Sequence, residues 1–233
     1  MAAAWVGASV KLPRIVVNAK AYPEVTGETR AAALYRACNQ AARSTGADIA
    51  LAPPLGELAA LARRDGEVVL LAQHVDPHHM GAATGWVTVE AIQAAGAVGS
   101  IVNHAEHKVP HAQVAATIAR LDKAKLIPLV CADSLAEVEA LARLRPRMLA
   151  IEPPALIGGN ISVTTADPAI VSDAVRAVRR ISPRTKVLCG AGVKNGEDVA
   201  TALRLGAYGV LLASGVVKAR NPGAVLRELA SGL

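Results

Sequence analysis

The 233-residue sequence predicts a single-domain α/β protein, a (β/α)8 barrel, on three observations. Short β-branched and aliphatic runs recur eight times along the chain. They are continuous rather than alternating with polar residues, as strands buried on both faces of a parallel sheet are. The stretches between them carry helix starts and stops. Eight units leave about 29 residues each, close to the minimum for a strand, a helix and two loops, with little length for insertions.

The first run spans Arg14 to Val17, and the helix after it should stop at Gly46. The second, third and fourth runs are Ile49 to Ala52, Val68 to Ala72 and Ser100 to Val102. The fifth, Ile127 to Val130, precedes Ser134 with Glu137 three residues on, a capping box in which each residue should bond the other's backbone N–H. After the sixth, Met148 to Ile151, Asp167 before Pro168 pairs an N-cap with proline at the first helical position. Asn195 should cap the helix after the seventh run, Lys186 to Cys189, and Gly206 should end it. The eighth, Gly209 to Leu212, leads to a last helix opened by Asn221 and Pro222. No linker or charge block interrupts this rhythm, so residues 1–233 read as one domain, with 1–12 a short N-terminal extension. A doubly wound open sheet fits the same periodicity, which does not reveal closure.

Composition narrows the function. Hydrophobic residues make up 52 % and charged residues 19 %, which excludes a disordered chain. With no Phe, two Trp and three Tyr the core must be aliphatic. Cys38, Cys131 and Cys189 form no C-x-x-C pair, so they build neither a disulfide framework nor a zinc module, and a reducing cytoplasm is the simplest compartment. Met1 to Val10 lacks a basic leader region and is too short to span a bilayer. The net charge of +6 attracts anions, but the basic residues are scattered and few aromatics are present to stack on bases. A small anionic substrate therefore fits better than nucleic acid.

In such a barrel, working groups project from the C-terminal strand ends. These positions hold Asn18 and Lys20, Gln73, Asn103 and His104, and Glu152. A carboxylate, an imidazole and an ammonium at one mouth supply a base, an electrophile and a positive clamp, the set needed for proton abstraction beside a carbonyl. Asn18 and Lys20, two apart on an extended strand end, should point the same way. The turns Gly190-Ala191-Gly192 and Ala213-Ser214-Gly215 present small residues whose N–H groups can approach phosphate oxygens. His104, His107 and His111 are spaced i, i+3 and i+7, and His74, His78 and His79 crowd another loop. Without a matching acidic ligand pattern they read as loop and helix-face histidines, and no metal is expected. A dinucleotide fingerprint needs glycine where Asn195 stands, and no Walker A sequence is present.

Five segments in order, Val17-Asn18-Ala19-Lys20, Asn103-His104-Ala105-Glu106, Ile151-Glu152-Pro153-Pro154-Ala155-Leu156-Ile157-Gly158, Cys189-Gly190-Ala191-Gly192 and Leu212-Ala213-Ser214-Gly215, together resemble the triosephosphate isomerase family, in particular its short archaeal branch. The resemblance implies a TIM barrel that interconverts glyceraldehyde 3-phosphate and dihydroxyacetone phosphate without a cofactor. It implies Glu152 as the proton-transferring base and His104 as a neutral electrophile. Lys20 would stabilise the oxyanion and the phosphate, fixed by Asn18, with Glu106 in the charge network. Ile157, Gly158, Gly192, Ala213 and Ser214 would cradle the phosphate. Pro153 and Pro154 before Gly158 and Gly159 suit a lid that closes over the site. The branch is typically homotetrameric, so a homo-oligomer, tetramer or dimer, is expected. Ala105 departs from the family's serine, and Gly159-Asn160 from its Thr-Gly. Ala83-Thr84-Gly85-Trp86 keeps the Thr-Gly of the interface loop. Other functions compatible with the strand-end residues are another phosphate-binding barrel, such as a sugar-phosphate epimerase, or a non-catalytic phosphometabolite-binding protein.

Overall fold

The computed structural model describes residues 11–153 and 166–233. Eight parallel strands, β1 (Ile15–Asn18), β2 (Ile49–Ala52), β3 (Val69–Ala72), β4 (Gly99–Val102), β5 (Ile127–Ala132), β6 (Met148–Ile151), β7 (Lys186–Gly190) and β8 (Gly209–Leu212), pair in sequence order and close into a barrel. Closure is made by β1 against β8, with Val16 opposite Leu211, which excludes the open sheet. The described helices are α1 (Glu28–Thr45), α2 (Leu55–Ala62), α3 (Val89–Ala94), α4 (His111–Lys123), α5 (Leu135–Ala142), α6 (Pro168–Ile181), α7 (Gly196–Arg204), the short α8 (Ser214–Val217) and α9 (Pro222–Ala230). Residues 1–10 of the expected extension lie outside the described residues. Its last two, Lys11 and Leu12, are tied down by a Lys11–Asp48 ion pair at 2.8 Å and by Tyr208 Oη donating to the Leu12 carbonyl at 2.9 Å.

The strands read as continuous apolar runs because each face is buried, against a different layer. Val16, Ala50, Leu71, Ile101, Leu129, Met148, Ala150, Leu188 and Leu211 form the filling of the barrel. Their neighbours Ile15, Val17, Leu51, Val102, Val130, Leu149, Ile151, Val187 and Val210 join the helix residues in a second layer. Alternation along each strand thus decides which residue reaches the barrel axis. Asn18 shares the inward parity of Val16, and Glu152 that of Ala150.

The expected caps form at Gly46, Asp167, Asn195 and Asn221. The capping box of α5 is half formed. Ser134 Oγ accepts from the Glu137 N–H at 3.3 Å, but the Glu137 carboxylate bonds the N–H of Asp133 at 2.8 Å rather than that of Ser134. The carboxylate is drawn off by Lys108 Nζ at 2.5 Å and Asn103 Nδ2 at 3.0 Å. Those two charge-assisted bonds outweigh a second capping bond.

Two glycines let neighbouring strands approach. A Cβ on Gly209 would lie 2.1 Å from the Arg14 carbonyl oxygen, and one on Gly99 2.3 Å from that of Ile127. Since Gly209 sits at the seam where β8 meets β1, Gly209→Ala is expected to strain the closure by about 1–3 kcal/mol. Thermal unfolding should register this as a fall of roughly 2–10 °C in Tm. An unchanged Tm would show that the seam relaxes.

Candidate active site

The C-terminal mouth of the barrel holds a cleft of about 300 Å³, lined by Asn18, Lys20, Tyr22, His104 and Glu152 on one side and by residues 191–194 and 211–215 on the other. Glu152 follows β6 and is 6 % exposed. Its N–H bonds the Ala132 carbonyl at 2.9 Å, which extends the β5–β6 ladder by one step and holds the side chain inward. Beside it on β7 stands Gly190, where a Cβ would lie only 2.3 Å from Glu152 Cγ. The missing side chain at 190 is the space that Glu152 fills. Sequence reading places this glycine in a phosphate-side turn; the inward parity it shares with Leu188 is the signal for its second role.

His104 reaches the cleft because β4 ends abruptly. Asn103 is 1 % exposed and takes the left-handed φ of 62°. Its Nδ2 donates to the Cys131 carbonyl and to Glu137 Oε1, both at 3.0 Å, while its Oδ1 accepts from the Val109 N–H at 3.2 Å. These bonds hold a conformation that costs a non-glycine residue energy, though asparagine least. The resulting turn breaks strand alternation and aims His104 at Glu152, Nε2 to Oε2 3.7 Å.

The imidazole's tautomer follows from its neighbour. The backbone N–H of Glu106 points at His104 Nδ1 at 3.1 Å. A backbone N–H only donates, so Nδ1 is the acceptor, and the proton of the neutral ring sits on Nε2, facing the cleft. Glu152 Oε2 is buried and has no hydrogen-bond partner among the described residues. An unsatisfied buried carboxylate oxygen is expensive, and it marks an atom kept ready for a ligand proton. The Cys131 thiol is held well above its ordinary range by burial and by the negative charge of Glu152. Burial pushes Cys189 and Cys38 up to about 12. None of the three thiols is a nucleophile near neutral pH.

Lys20 arrives differently from its expected route. The chain after β1 is not extended there; Lys20 has φ 51°, and its N–H bonds Asn18 Oδ1 at 3.1 Å. Gln73 Nε2 donates to the carbonyls of Lys20 and Ala52, each at 3.0 Å. The strained turn, rather than period-two alternation, carries the ammonium into the cleft, where Nζ meets Glu106 Oε1 at 2.6 Å. Glu106 therefore orients the imidazole through its backbone and the ammonium through its carboxylate. Opposite them, Ala191 and Gly192 take left-handed φ values of 72° and 74°. In α8 the Val216 and Val217 N–H groups both return to the Ala213 carbonyl, which leaves the amides of Ser214 and Gly215 outside the helix's own bonding. Gly192, Ala213 and Ser214 all line the cleft, whereas Ile157 and Gly158 lie outside the described residues. Sequence reading missed Tyr22, whose ring lies 4.2 Å from Lys218 Nζ, and Lys194, a second cation on the wall.

The chain matches the family model described as triosephosphate isomerase over residues 13–230. It belongs to the triosephosphate isomerase family. Among its relatives, a triosephosphate isomerase of Methanosarcina barkeri is 43 % identical over 220 residues, covering 94 % of this chain and 97 % of the relative. One of Cenarchaeum symbiosum is 42 % identical over 221 residues, with 95 % and 98 % covered, and one of Methanothermus fervidus 41 % over 217 residues, with 93 % and 97 % covered.

The other histidines have their own places around the family barrel. His74 stacks on His107, ring centroids 4.0 Å apart and 12° from parallel, and its Nε2 lies 3.0 Å from Asp76 Oδ1. His78 packs on Trp86, and His111 Nε2 lies 3.5 Å from Glu137. Among the described residues no three His, Cys, Asp or Glu side chains converge as metal ligands would. Burial and the facing His74 ring depress the pKa of His107, against the smaller upward pull of Asp76. The folded protein then binds this proton less readily than the unfolded chain, so the stabilisation is whole above the ordinary histidine value and fades as pH falls through about 6.5. Tm should therefore drop between pH 7.5 and 5.5, and less so in His107→Asn. An equal drop in both proteins would remove the stacked pair as a cause.

Proposed function

We propose that this protein interconverts D-glyceraldehyde 3-phosphate and dihydroxyacetone phosphate, with Glu152 as base, His104 as electrophile and Lys20 as the charge partner of the developing oxyanion. The observation that carries the reading is the unpartnered Glu152 Oε2 beside the neutral Nε2–H of His104, with the Lys20 ammonium in the same cleft. Family membership and the names of the relatives support the substrate pair.

In this mechanism the Glu152 carboxylate takes the proton from the carbon next to the carbonyl. The C–H electron pair forms the carbon–carbon double bond of an enediolate, and the carbonyl pair moves onto oxygen. His104 Nε2–H hydrogen-bonds that oxygen and relays a proton between the two oxygens. A neutral imidazole suits the task because its N–H is a weak acid matched to an enediol oxygen. Lys20 offsets the charge that grows in the transition state. Glu152 returns its proton to the adjacent carbon, so the reaction is complete without net oxidation and calls for no cofactor. The substrate phosphate would be held by the amides of Gly192, Ser214 and Gly215, with Ala213 shaping the turn, and Ile157 and Gly158, which lie outside the described residues, are read as the remaining phosphate-binding residues. Asn18 fixes the Lys20 turn and Glu106 its ammonium.

We read the protein as cytoplasmic and as a homo-oligomer, a tetramer or a dimer. No described helix is long and apolar enough to cross a membrane. Support for association comes from the β3–α3 loop, where Met80 is 71 % and Trp86 50 % exposed. Apolar groups presented this openly are what a subunit contact covers. The deciding test is a coupled assay of glyceraldehyde 3-phosphate isomerisation by the purified chain. Fast turnover is expected. Binding of a triose phosphate without turnover would instead favour a phosphometabolite-binding protein.

A further inference from the structure

The opposite, N-terminal end of the barrel carries a second and larger cavity, of about 490 Å³, that plays no part in the reaction above. Its wall includes Arg145, Arg147 and Arg184, with Leu12, Ile181 and Pro183 as an apolar side. The three connections that meet there, at residues 122–125, 143–147 and 182–186, hold Lys123, Lys125, Arg143, Arg145, Arg147, Arg184 and Lys186 against the single carboxylate of Asp122. That excess equals the formal net charge of the whole chain, +6. Among the described residues none of the seven makes an ion pair, although nine other lysines and arginines do. Unpaired like charges gathered on one face repel one another, so they produce a strong local positive field.

The frame beneath them is rigid. Thr185 Oγ1 donates to the Pro146 carbonyl at 2.6 Å, leaving Ser182 Oγ to donate to Thr185 Oγ1 at 2.7 Å. Both hydroxyl residues are buried. The Lys186 N–H bonds the Arg147 carbonyl at 3.0 Å. These bonds lock the connection that carries Arg145 and Arg147 to the one that carries Arg184. Arg145 itself is held at φ 55°, a left-handed conformation that a side-chain-bearing residue adopts at a cost.

We propose that this cavity is a second, non-catalytic anion site that takes a phosphoanhydride chain, either a short inorganic polyphosphate or the triphosphate of a nucleotide. Three guanidinium forks around one concavity match tetrahedral phosphate oxygens, and their combined charge calls for a multivalent anion. A nucleic-acid strand fits less well. Among the described residues the aromatic ring at this end is that of Tyr208, which already has Lys186 Nζ 5.5 Å and the Arg14 guanidinium 5.9 Å from its centroid and so offers bases a poor stacking surface.

Calorimetric titration of the full chain with tripolyphosphate, at about 50 mM salt and with dihydroxyacetone phosphate saturating the catalytic cleft, tests the site. One equivalent is expected to bind. Its affinity should fall several-fold at about 200 mM salt and at least tenfold in Arg145→Asn/Arg147→Gln/Arg184→Gln, whose isomerase turnover should match the wild type. Asparagine is chosen at 145 because it tolerates positive φ. Arg184→Glu, in an exposed loop, serves as a second variant if the triple one does not fold. ATP binding as tripolyphosphate does assigns the site to the phosphate chain alone; tighter ATP binding assigns it to a nucleotide resting on the Leu12 and Ile181 side. No binding by the wild type, equal binding by the variants, displacement by dihydroxyacetone phosphate, or comparable affinity for poly(U) would each overturn the proposal. The variant comparison does not depend on the reaction assigned to the cleft.

Discussion

Glu152→Gln is expected to bind triose phosphate with a KM within a few-fold of the wild type while kcat falls by roughly 10²–10⁴-fold. The amide has the shape of the carboxylate and fits the same space beside Gly190, so position and packing are kept. What it loses is the buried oxygen, unpartnered among the described residues, that would accept the substrate proton in the proposed mechanism. The split between the two constants is the diagnostic. A group that merely shaped the cleft would move KM, whereas a base is needed only as the proton leaves carbon. Near-normal kcat in the purified variant would remove Glu152 from this role.

Lys20→Met is expected to act on both constants. Methionine keeps the length of the stem and inherits the same left-handed backbone, so the turn held by Asn18 and Gln73 has no new reason to change. The ammonium, however, is the described cation closest in the network to His104, through Glu106. In the proposed mechanism its removal withdraws the charge that would balance both the ground-state phosphate and the transition-state oxyanion, and leaves the Glu106 carboxylate to repel an anionic substrate. A loss of about 10²–10³-fold in kcat is expected, with a rise in KM on top of it. Thermal unfolding should stay close to wild type, since the ion pair is half in solvent and such pairs contribute little. A large fall in Tm with unchanged kcat in the folded fraction would make Lys20 a structural residue only.

Much of this architecture was legible in the residues themselves. The strands are runs of valine, leucine and isoleucine with both faces dry, and seven of the eight lie within one residue of the positions read from the sequence at each end. β5 extends two residues further, to Ala132, because its ladder partner β6 continues to Ile151. The strand-end rule found Asn18, Lys20, His104 and Glu152, which the fold gathers round one cleft. What periodicity could not supply are the features set by three-dimensional register and strain. The left-handed turns at Lys20 and Asn103 override alternation, and nothing in a lysine codon of sequence announces a positive φ. The clearance at Gly190 needs to be known relative to β6 before its purpose is visible. The stacked His74 and His107 lie on the connections after β3 and β4, and it is the pairing of those strands that brings them together.

The placement of Trp86 has an optical consequence. Its indole is half exposed on the β3–α3 loop, resting on His78, while among the described residues the barrel interior contains no phenylalanine or tryptophan. Emission from Trp86 therefore reports the polarity around one surface loop and is blind to the aliphatic filling of the barrel. On the proposed association, dilution that separates subunits at this loop would shift the Trp86 contribution to the red with the fold intact, and a circular-dichroism signal would mark the loss of the barrel itself.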